Sequence, residues 1–369
     1  MTMMRIFRLG AALIGLALVT GVAMADCNFI NGYGPAVATM PLQAGNITVG
    51  RDVPLGAEIY RQTFSNAKAA YSVTCGTNTG AVNAQYELVS KPLPLSAWMG
   101  APWGGNVYQT GVAGIGVVVL TSGVGTYPMP YTAQVLNCPL GNNCTWSPAA
   151  SGAFILSFIK IGPVSAGTIQ GSQLPTMSMN WNSSNALFVQ RVNFSGSINI
   201  VSRTCTTPNV VVEMGSHKVG EFSVPGSVTG WKDFSINLYN CPAFHGFYKA
   251  SGPGWGTDGV VTNLNKRQAN VLQVRIDPTL GAYNPAQGIL SLNPSAPGDS
   301  PAATGVGLQI GTGSGTPFPL SVLRPSGITP SGIEGGFYSI PLKARYFQFG
   351  GSVTPGPANA TATFTLDYQ

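Results

Sequence analysis

The chain has 369 residues, with 18 Lys plus Arg against 12 Asp plus Glu for a formal charge of +6, and only 8% of its residues are charged, against about 25% in an ordinary soluble domain. Solvent-facing helices need charged coats, so this composition argues against an all-α protein, a coiled coil or a doubly wound nucleotide-binding enzyme. With 48 Gly, 28 Pro and 44% hydrophobic residues, it points instead to an all-β chain of many short strands joined by turns.

Residues 1–25 read as an export signal. Arg5 and Arg8 supply a basic start, Leu9–Val22 is apolar, and Ala23-Met24-Ala25 places a cleavage site before Asp26. The apolar run is short for a membrane span, and no later stretch offers about 20 uninterrupted apolar residues. The remainder is long enough for two domains. Its basic residues are dispersed, with no Lys/Arg stripe interleaved with aromatics, so no nucleic-acid partner is expected.

Residues 46–60 (NITVGRDVPLGAEIY) show a strand, a Pro/Gly turn and a second strand, and Tyr71, Val73 and Cys75 alternate again. The continuous apolar runs 112–120 and 153–161 are bounded by Gly and Pro, as in buried sandwich strands. Phe188, Gln190, Val192 and Phe194, then Ile198 and Ile200, continue the pattern up to Val201–Thr204, where a new one begins at Cys205. The expected division is therefore 26–203 and 204–369, with 26–203 folding by itself. In the second half, strands are expected at Val210–Met214, at Phe234–Leu238, at Val271–Ile276, at 305–310 and at Ile340–Tyr346, with loops over most of 281–335. The end alternates most cleanly. Ala360, Ala362, Phe364, Leu366 and Tyr368 form one face against Thr361, Thr363, Thr365 and Asp367.

Six cysteines, at 27, 75, 138, 144, 205 and 241, imply three disulfides in an exported chain. Sequence alone allows fifteen pairings. The simplest joins neighbours: Cys27–Cys75, Cys138–Cys144 and Cys205–Cys241. A zinc site lacks the clustered Cys and His that it needs.

The chain is poor in catalytic material. No Asp or Glu lies between Glu87 and Glu213, and the histidines are His217 and His245 alone. A glycosidase needs two carboxylates across a sugar, and only Asp52 with Glu58 could pair in the first half. A serine hydrolase needs a histidine base. No nucleophile elbow or phosphate-binding loop occurs. No enzyme activity and no cofactor are expected. Binding remains. Trp98 and Trp103 lie in the loop-like stretch KPLPLSAWMGAPWGGN, with Tyr108 and Gln109 just beyond. Aromatic faces beside amides suit sugars or extended peptides, so these four are the candidate receptor contacts.

The second half resembles the pilin domain of chaperone–usher fimbrial subunits. The resemblance is carried by Cys205 and Cys241, DFSINLYNCPAF (233–244), GVGLQI (305–310), IPLKARYFQ (340–348) and the ending VTPGPANATATFTLDYQ (353–369). That ending has a penultimate Tyr368 and Gly356 fourteenth from the end. ITVGRDVPLG (47–56), with Cys27 and Cys75, resembles the receptor-binding domains of two-domain tip adhesins of type 1 and type 3 fimbriae. The resemblance implies two β-sandwich domains, the second an incomplete immunoglobulin-like fold lacking its last strand. The resulting groove would be lined by Gly356, Ala360, Ala362, Phe364, Leu366 and Tyr368. A periplasmic chaperone would fill it first, and the N-terminal strand of an adjacent subunit would replace the chaperone at the outer-membrane usher. The function implied is a fimbrial tip adhesin, exported through the periplasm to the cell surface, with a host or surface receptor such as a glycan or matrix protein. A shaft or minor pilin, which needs a donor strand before its first cysteine, and a secreted carbohydrate-active enzyme are the competing readings. With cleavage before Asp26, only one residue precedes Cys27, so an acceptor without a donor is expected.

Overall fold

The computed structural model describes residues 26–66, 71–77, 80–138, 142–146, 153–182 and 185–369; the expected export signal lies outside them. Among the described residues every regular element is a β-strand or a single turn of 3-10 helix.

The first half is a sandwich of two main sheets. One runs in the order Tyr108–Gln109, Ile115–Thr121, Phe154–Lys160 and Glu58–Ser65. The other runs Ala36–Pro41, Ala186–Ser195, Thr176–Asn182, Gly80–Ser90 and Tyr131–Cys138. Between them lies a core containing Tyr60, Phe64, Phe154, Phe158, Met177, Trp181 and Val192. The two continuous apolar runs are central strands buried on both faces. Val117, Val119, Leu156 and Phe158 face this core, while Val118, Leu120 and Ile155 form a small cluster on the outer face beneath Trp103. Burial on both sides is why these strands do not alternate.

The second half packs a sheet of Lys232–Cys241, Gly336–Gln348, Val306–Thr312, Ile289–Leu290 and Ala282–Asn284 against Arg324–Pro325, Leu272–Pro278 and Ala362–Tyr368. Its separate core includes Ile236, Leu238, Val274, Ile276, Ile310, Ile340 and Leu342. Disulfides join Cys27 to Cys75, Cys138 to Cys144 and Cys205 to Cys241.

Two expectations need correction. Val210–Met214 is not a strand and enters no ladder; Val210, Val212 and Met214 are half-buried and Val211 and Glu213 exposed, so the alternation in the sequence reflects one-sided packing against the second half without backbone pairing. The stretch 281–335 holds Ala282–Asn284, Ile289–Leu290 and Arg324–Pro325 besides Val306–Thr312. Their two- and three-residue lengths are too short to show a periodicity.

The packing does not follow the chain boundary. After Cys241 the chain crosses to the first half, where Gly254–Gly256 pairs in parallel with Thr63–Ser65 and Val261–Thr262 follows at the sheet edge. Tyr248, 2% exposed, lies in the first core with its ring edge-on to Tyr60 at 6.2 Å, and Trp255 packs on Phe64 at 5.9 Å. This segment covers an edge that would otherwise present unpaired backbone groups. Gly252 is required at the crossing, because a Cβ there would fall 1.9 Å from the Arg61 carbonyl oxygen.

Candidate functional site

Ala362–Tyr368 pairs antiparallel with Leu272–Pro278 along one edge. Among the described residues no strand pairs with its other edge. The alternation fixes what faces the gap. Ala360, Ala362, Phe364 and Leu366 are half-buried against the second core, while Thr361, Thr363 and Thr365 are exposed. A groove of about 1060 Å³ opens beside the free edge. Its lining includes the apolar side chains of Ile236, Ile276, Leu308, Ile310 and Leu342, residues Gly356, Ala360, Ala362 and Phe364 leading into the C-terminal strand, and the stretch Val210–Met214, with polar Glu213, His217, Thr354 and Asn359 among them. Gly356 is fixed by contact: a Cβ would sit 2.2 Å from the Pro301 carbonyl oxygen and 2.7 Å from the Ala303 nitrogen.

Leu366 and Tyr368 fall outside the groove lining. Tyr368 is buried, its hydroxyl accepts from the Cys205 N–H at 3.3 Å, and its ring stacks on Phe244 with centroids 6.4 Å apart. Its backbone grips the first half. Tyr368 N donates to Asp52 Oδ2 at 3.0 Å, and Asp52 N donates to Tyr368 O at 3.2 Å. These bonds explain how a terminal strand stays paired to its end. The Asp52 turn is itself braced by Lys160, buried at 4% exposure, whose Nζ donates to the Arg51 carbonyl at 2.5 Å. Burial lowers the Lys160 pKa, and the Asp52 charge opposes the shift. Asp367 faces the same junction with its Oδ1 buried and without a hydrogen-bond partner. Desolvation by burial, then the Asp52 charge, raises its pKa.

The four candidate receptor contacts lie on one hairpin-like excursion, 94–109. It is closed by the Leu95–Tyr108 bridge and by hydrogen bonds from Ser96 N to Val107 O and from Gln109 N to Pro94 O. Trp98 and Trp103 lie toward its tip, Tyr108 and Gln109 on its stem. Trp98 is half-buried, and its Nε1 donates to the Pro102 carbonyl at 3.2 Å. Trp103 caps the outer-face cluster at φ +68°, a conformation a bulky residue holds only when packing fixes it. Tyr108 packs against the first core, and Gln109 is exposed. Trp98 and Gln109 therefore present surface, while Trp103 and Tyr108 secure the excursion. Met99, 79% exposed between the tryptophans, carries no mark in the sequence. An isolated methionine carries no periodicity, and only its place at the tip marks it.

The carboxylates of the first half are engaged. Glu58 Oε1 accepts from Arg61 Nε at 2.8 Å and from Ser157 Oγ at 2.6 Å, and Asp52 holds the junction. His217 lies beside Glu221 and edge-on to the Tyr346 ring at the groove rim, and the His245 backbone N–H donates to Thr48 Oγ1.

Residues 192–369 match the family described as fimbrial protein, and residues 40–191 that described as MrkD-like receptor binding domain. The type-1 fimbrial protein A chain of Escherichia coli K12 is 42% identical over 183 residues, 48% of this chain and 82% of that one. A fimbria adhesin protein of Klebsiella pneumoniae is 26% identical over 364 residues, spanning 96% of this chain and 98% of its own. Among solved structures, the receptor binding domain of the MrkD1P adhesin of K. pneumoniae aligns at 20% identity, covering 49% of this chain and 98% of that one with a TM-score of 0.35. The chain belongs to the fimbrial protein family, with an MrkD-like receptor-binding domain ahead of its fimbrial domain.

Proposed function

We propose that this protein is the tip adhesin of a chaperone–usher fimbria. In this reading 26–203 carries the receptor-binding function and 204–369 is a pilin domain lacking its last strand. The observation that carries it is the free edge of Ala362–Tyr368 beside a groove of about 1060 Å³ whose lining includes the apolar side chains of Ile236, Ile276, Leu308, Ile310, Leu342 and Phe364, in a chain that also has a receptor-binding domain. The occupant is a β-strand: main-chain hydrogen bonds along the free edge supply affinity, and side chains entering at every second residue supply register. A periplasmic chaperone offers that strand during export, and the N-terminal strand of an adjacent subunit replaces it at the outer-membrane usher. The protein then stands at the fimbrial tip on the bacterial surface. Binding a host or surface receptor, a glycan or a matrix protein, is assigned to the 94–109 excursion, with Trp98 and Gln109 as contacts. A binding role needs no catalytic groups, and an enzymatic role is not proposed.

The test is co-expression with a fimbrial chaperone. Full-length protein should co-purify with it, and its melting temperature should rise when a groove-filling peptide is added. Protein that melts cooperatively alone, unchanged by any strand peptide, overturns the reading. Binding of the captured protein to arrayed glycans and matrix proteins tests the receptor function separately.

A further inference from the structure

Four of the six cysteines meet at one place in the first half. Cys27–Phe29, Val73–Cys75 and Cys144–Trp146 form a three-stranded antiparallel sheet with Val73–Cys75 in the middle. Its register sets Cys75 directly opposite Cys27 on one side and directly opposite Cys144 on the other. Directly opposed residues of an antiparallel pair project to the same face, so Cys27, Cys75 and Cys144 stand in one row across the sheet. Cys75 is bonded within the row to Cys27, and Cys144 is bonded outside it to Cys138. Cys27, Cys75 and Cys138 are buried, whereas Cys144 is half-buried on an outer strand of this sheet. The backbone of Cys27 is held independently of its sulfur. Cys27 N donates to Asn185 Oδ1 at 3.1 Å, Asn185 Nδ2 donates to the Cys27 carbonyl at 3.0 Å, and Ile30 N donates to the Ser72 carbonyl at 2.9 Å.

We propose that Cys144 is a thiol–disulfide exchange site, through which a small external thiol converts the Cys27–Cys75 bridge into a Cys75–Cys144 bridge. One external thiolate attacks Cys144 Sγ, the accessible end of the outer bridge, and Cys138 leaves as a thiolate that takes a proton from solvent. A second external thiolate clears the mixed disulfide, so two external thiols are oxidised to their disulfide while Cys138 and Cys144 are reduced. The Cys144 thiol then gives its proton to solvent, and its thiolate attacks Cys75 Sγ. The Cys75–Cys144 bond forms, the Cys27–Cys75 bond breaks, and Cys27 leaves with the electron pair and is protonated by solvent. Displacement at sulfur places the attacking, central and leaving atoms nearly in line, and the strand order supplies that line. Opposed Cα atoms in an antiparallel ladder lie about 4.5–5.5 Å apart, within the range a disulfide spans. Either neighbour can therefore be tied to the central strand, and Asn185 keeps Cys27 in place for the return.

The test treats the full-length protein with reduced glutathione in the absence of denaturant, traps free thiols with N-ethylmaleimide, and maps the bridges with pepsin in acid without reduction. Chains carrying Cys75–Cys144, with label on Cys27 and Cys138, should rise from none to about a tenth or more of the total. The Cys75–Cys144 link should form at a rate independent of protein concentration. Cys138→Ala leaves Cys144 without its partner and should show the same link with no thiol added. Cys144→Ala leaves Cys138 outside the row and should keep Cys27–Cys75 intact. Label confined to Cys138 and Cys144 in the treated protein overturns the proposal, whether or not Cys138→Ala folds. An outer bridge that glutathione does not open overturns it as well, and so does loss of Cys27–Cys75 in Cys144→Ala.

Discussion

Replacing Tyr248 by alanine tests whether the two halves share a core. The residue lies seven positions after Cys241 yet is 2% exposed within the core of the first half. Its ring meets Tyr60 edge-on at 6.2 Å and lies under the Arg267 guanidinium at 4.8 Å. Its hydroxyl donates to the Leu264 carbonyl at 2.9 Å. Truncating a fully buried aromatic ring costs about 3–5 kcal/mol, including the cavity left behind. Part of this loss comes from Arg267, which donates to the carbonyls of Ala44 and Asn46 and loses the ring that orients it. Tyr248→Phe keeps the ring and gives up the hydroxyl bond, at about 1 kcal/mol. Urea unfolding followed by tryptophan fluorescence reports on the first half through Trp98, Trp103 and Trp181 once Trp231 of the second half, which lies against Arg345, is replaced by phenylalanine in the parent and both variants. Tyr248→Ala should move that transition to lower urea, and Tyr248→Phe should move it by a third or less as much. A loss below about 1 kcal/mol, or one confined to the unfolding of the second half, refutes the shared core.

Phe364→Lys places a charge on the groove wall and should abolish chaperone co-purification while the first half still binds its receptor; capture at the parental level counts against the groove. Trp98→Ala should leave the melting temperature within about a degree and weaken receptor binding, whereas Trp103→Ala uncovers Val118, Leu120 and Ile155 and should cost about 1–3 kcal/mol. For Asp367 the folded pKa is raised by burial and by Asp52. The folded state therefore holds this proton more tightly than the unfolded chain. Its contribution to stability appears as pH falls through the raised value and is complete below the ordinary aspartate pKa. Asp367→Asn should raise the melting temperature at pH 7 and lose that advantage in acid; a variant less stable at pH 7 contradicts the assignment.

The alternation from Ala360 to Tyr368 was legible because a strand with one buried face writes its period directly into the chain. The runs 112–120 and 153–161 were legible as buried strands for the converse reason, since the outer face is covered too. What covers it was less plain. Trp98 and Trp103 sit five residues apart in the same Gly/Pro-rich stretch, and only the fold shows that one presents surface and the other caps Val118 and Leu120. Tyr368 looked like the last member of the groove row by its parity, but the bonds from Asp52 carry it out of the groove and into the junction. Gly254–Gly256 and Val261–Thr262 were illegible. KASGPGWGTDGV has the composition of a loop, and its strand geometry comes from a partner more than 180 positions earlier in the chain.

That crossing limits modularity. The peptide link between the halves lies near residue 200, but the surface that finishes the first sandwich is encoded after Cys241, in the stretch that carries Tyr248, Trp255 and Arg267. A receptor-binding half transplanted at the covalent boundary leaves its own finishing segment behind and meets a foreign one. Exchange of binding specificity between fimbriae by recombination at that boundary is therefore constrained. The donor and recipient loops must match at Tyr60, Phe64 and the carbonyls of Ala44 and Asn46, or the loop must travel with the half it completes.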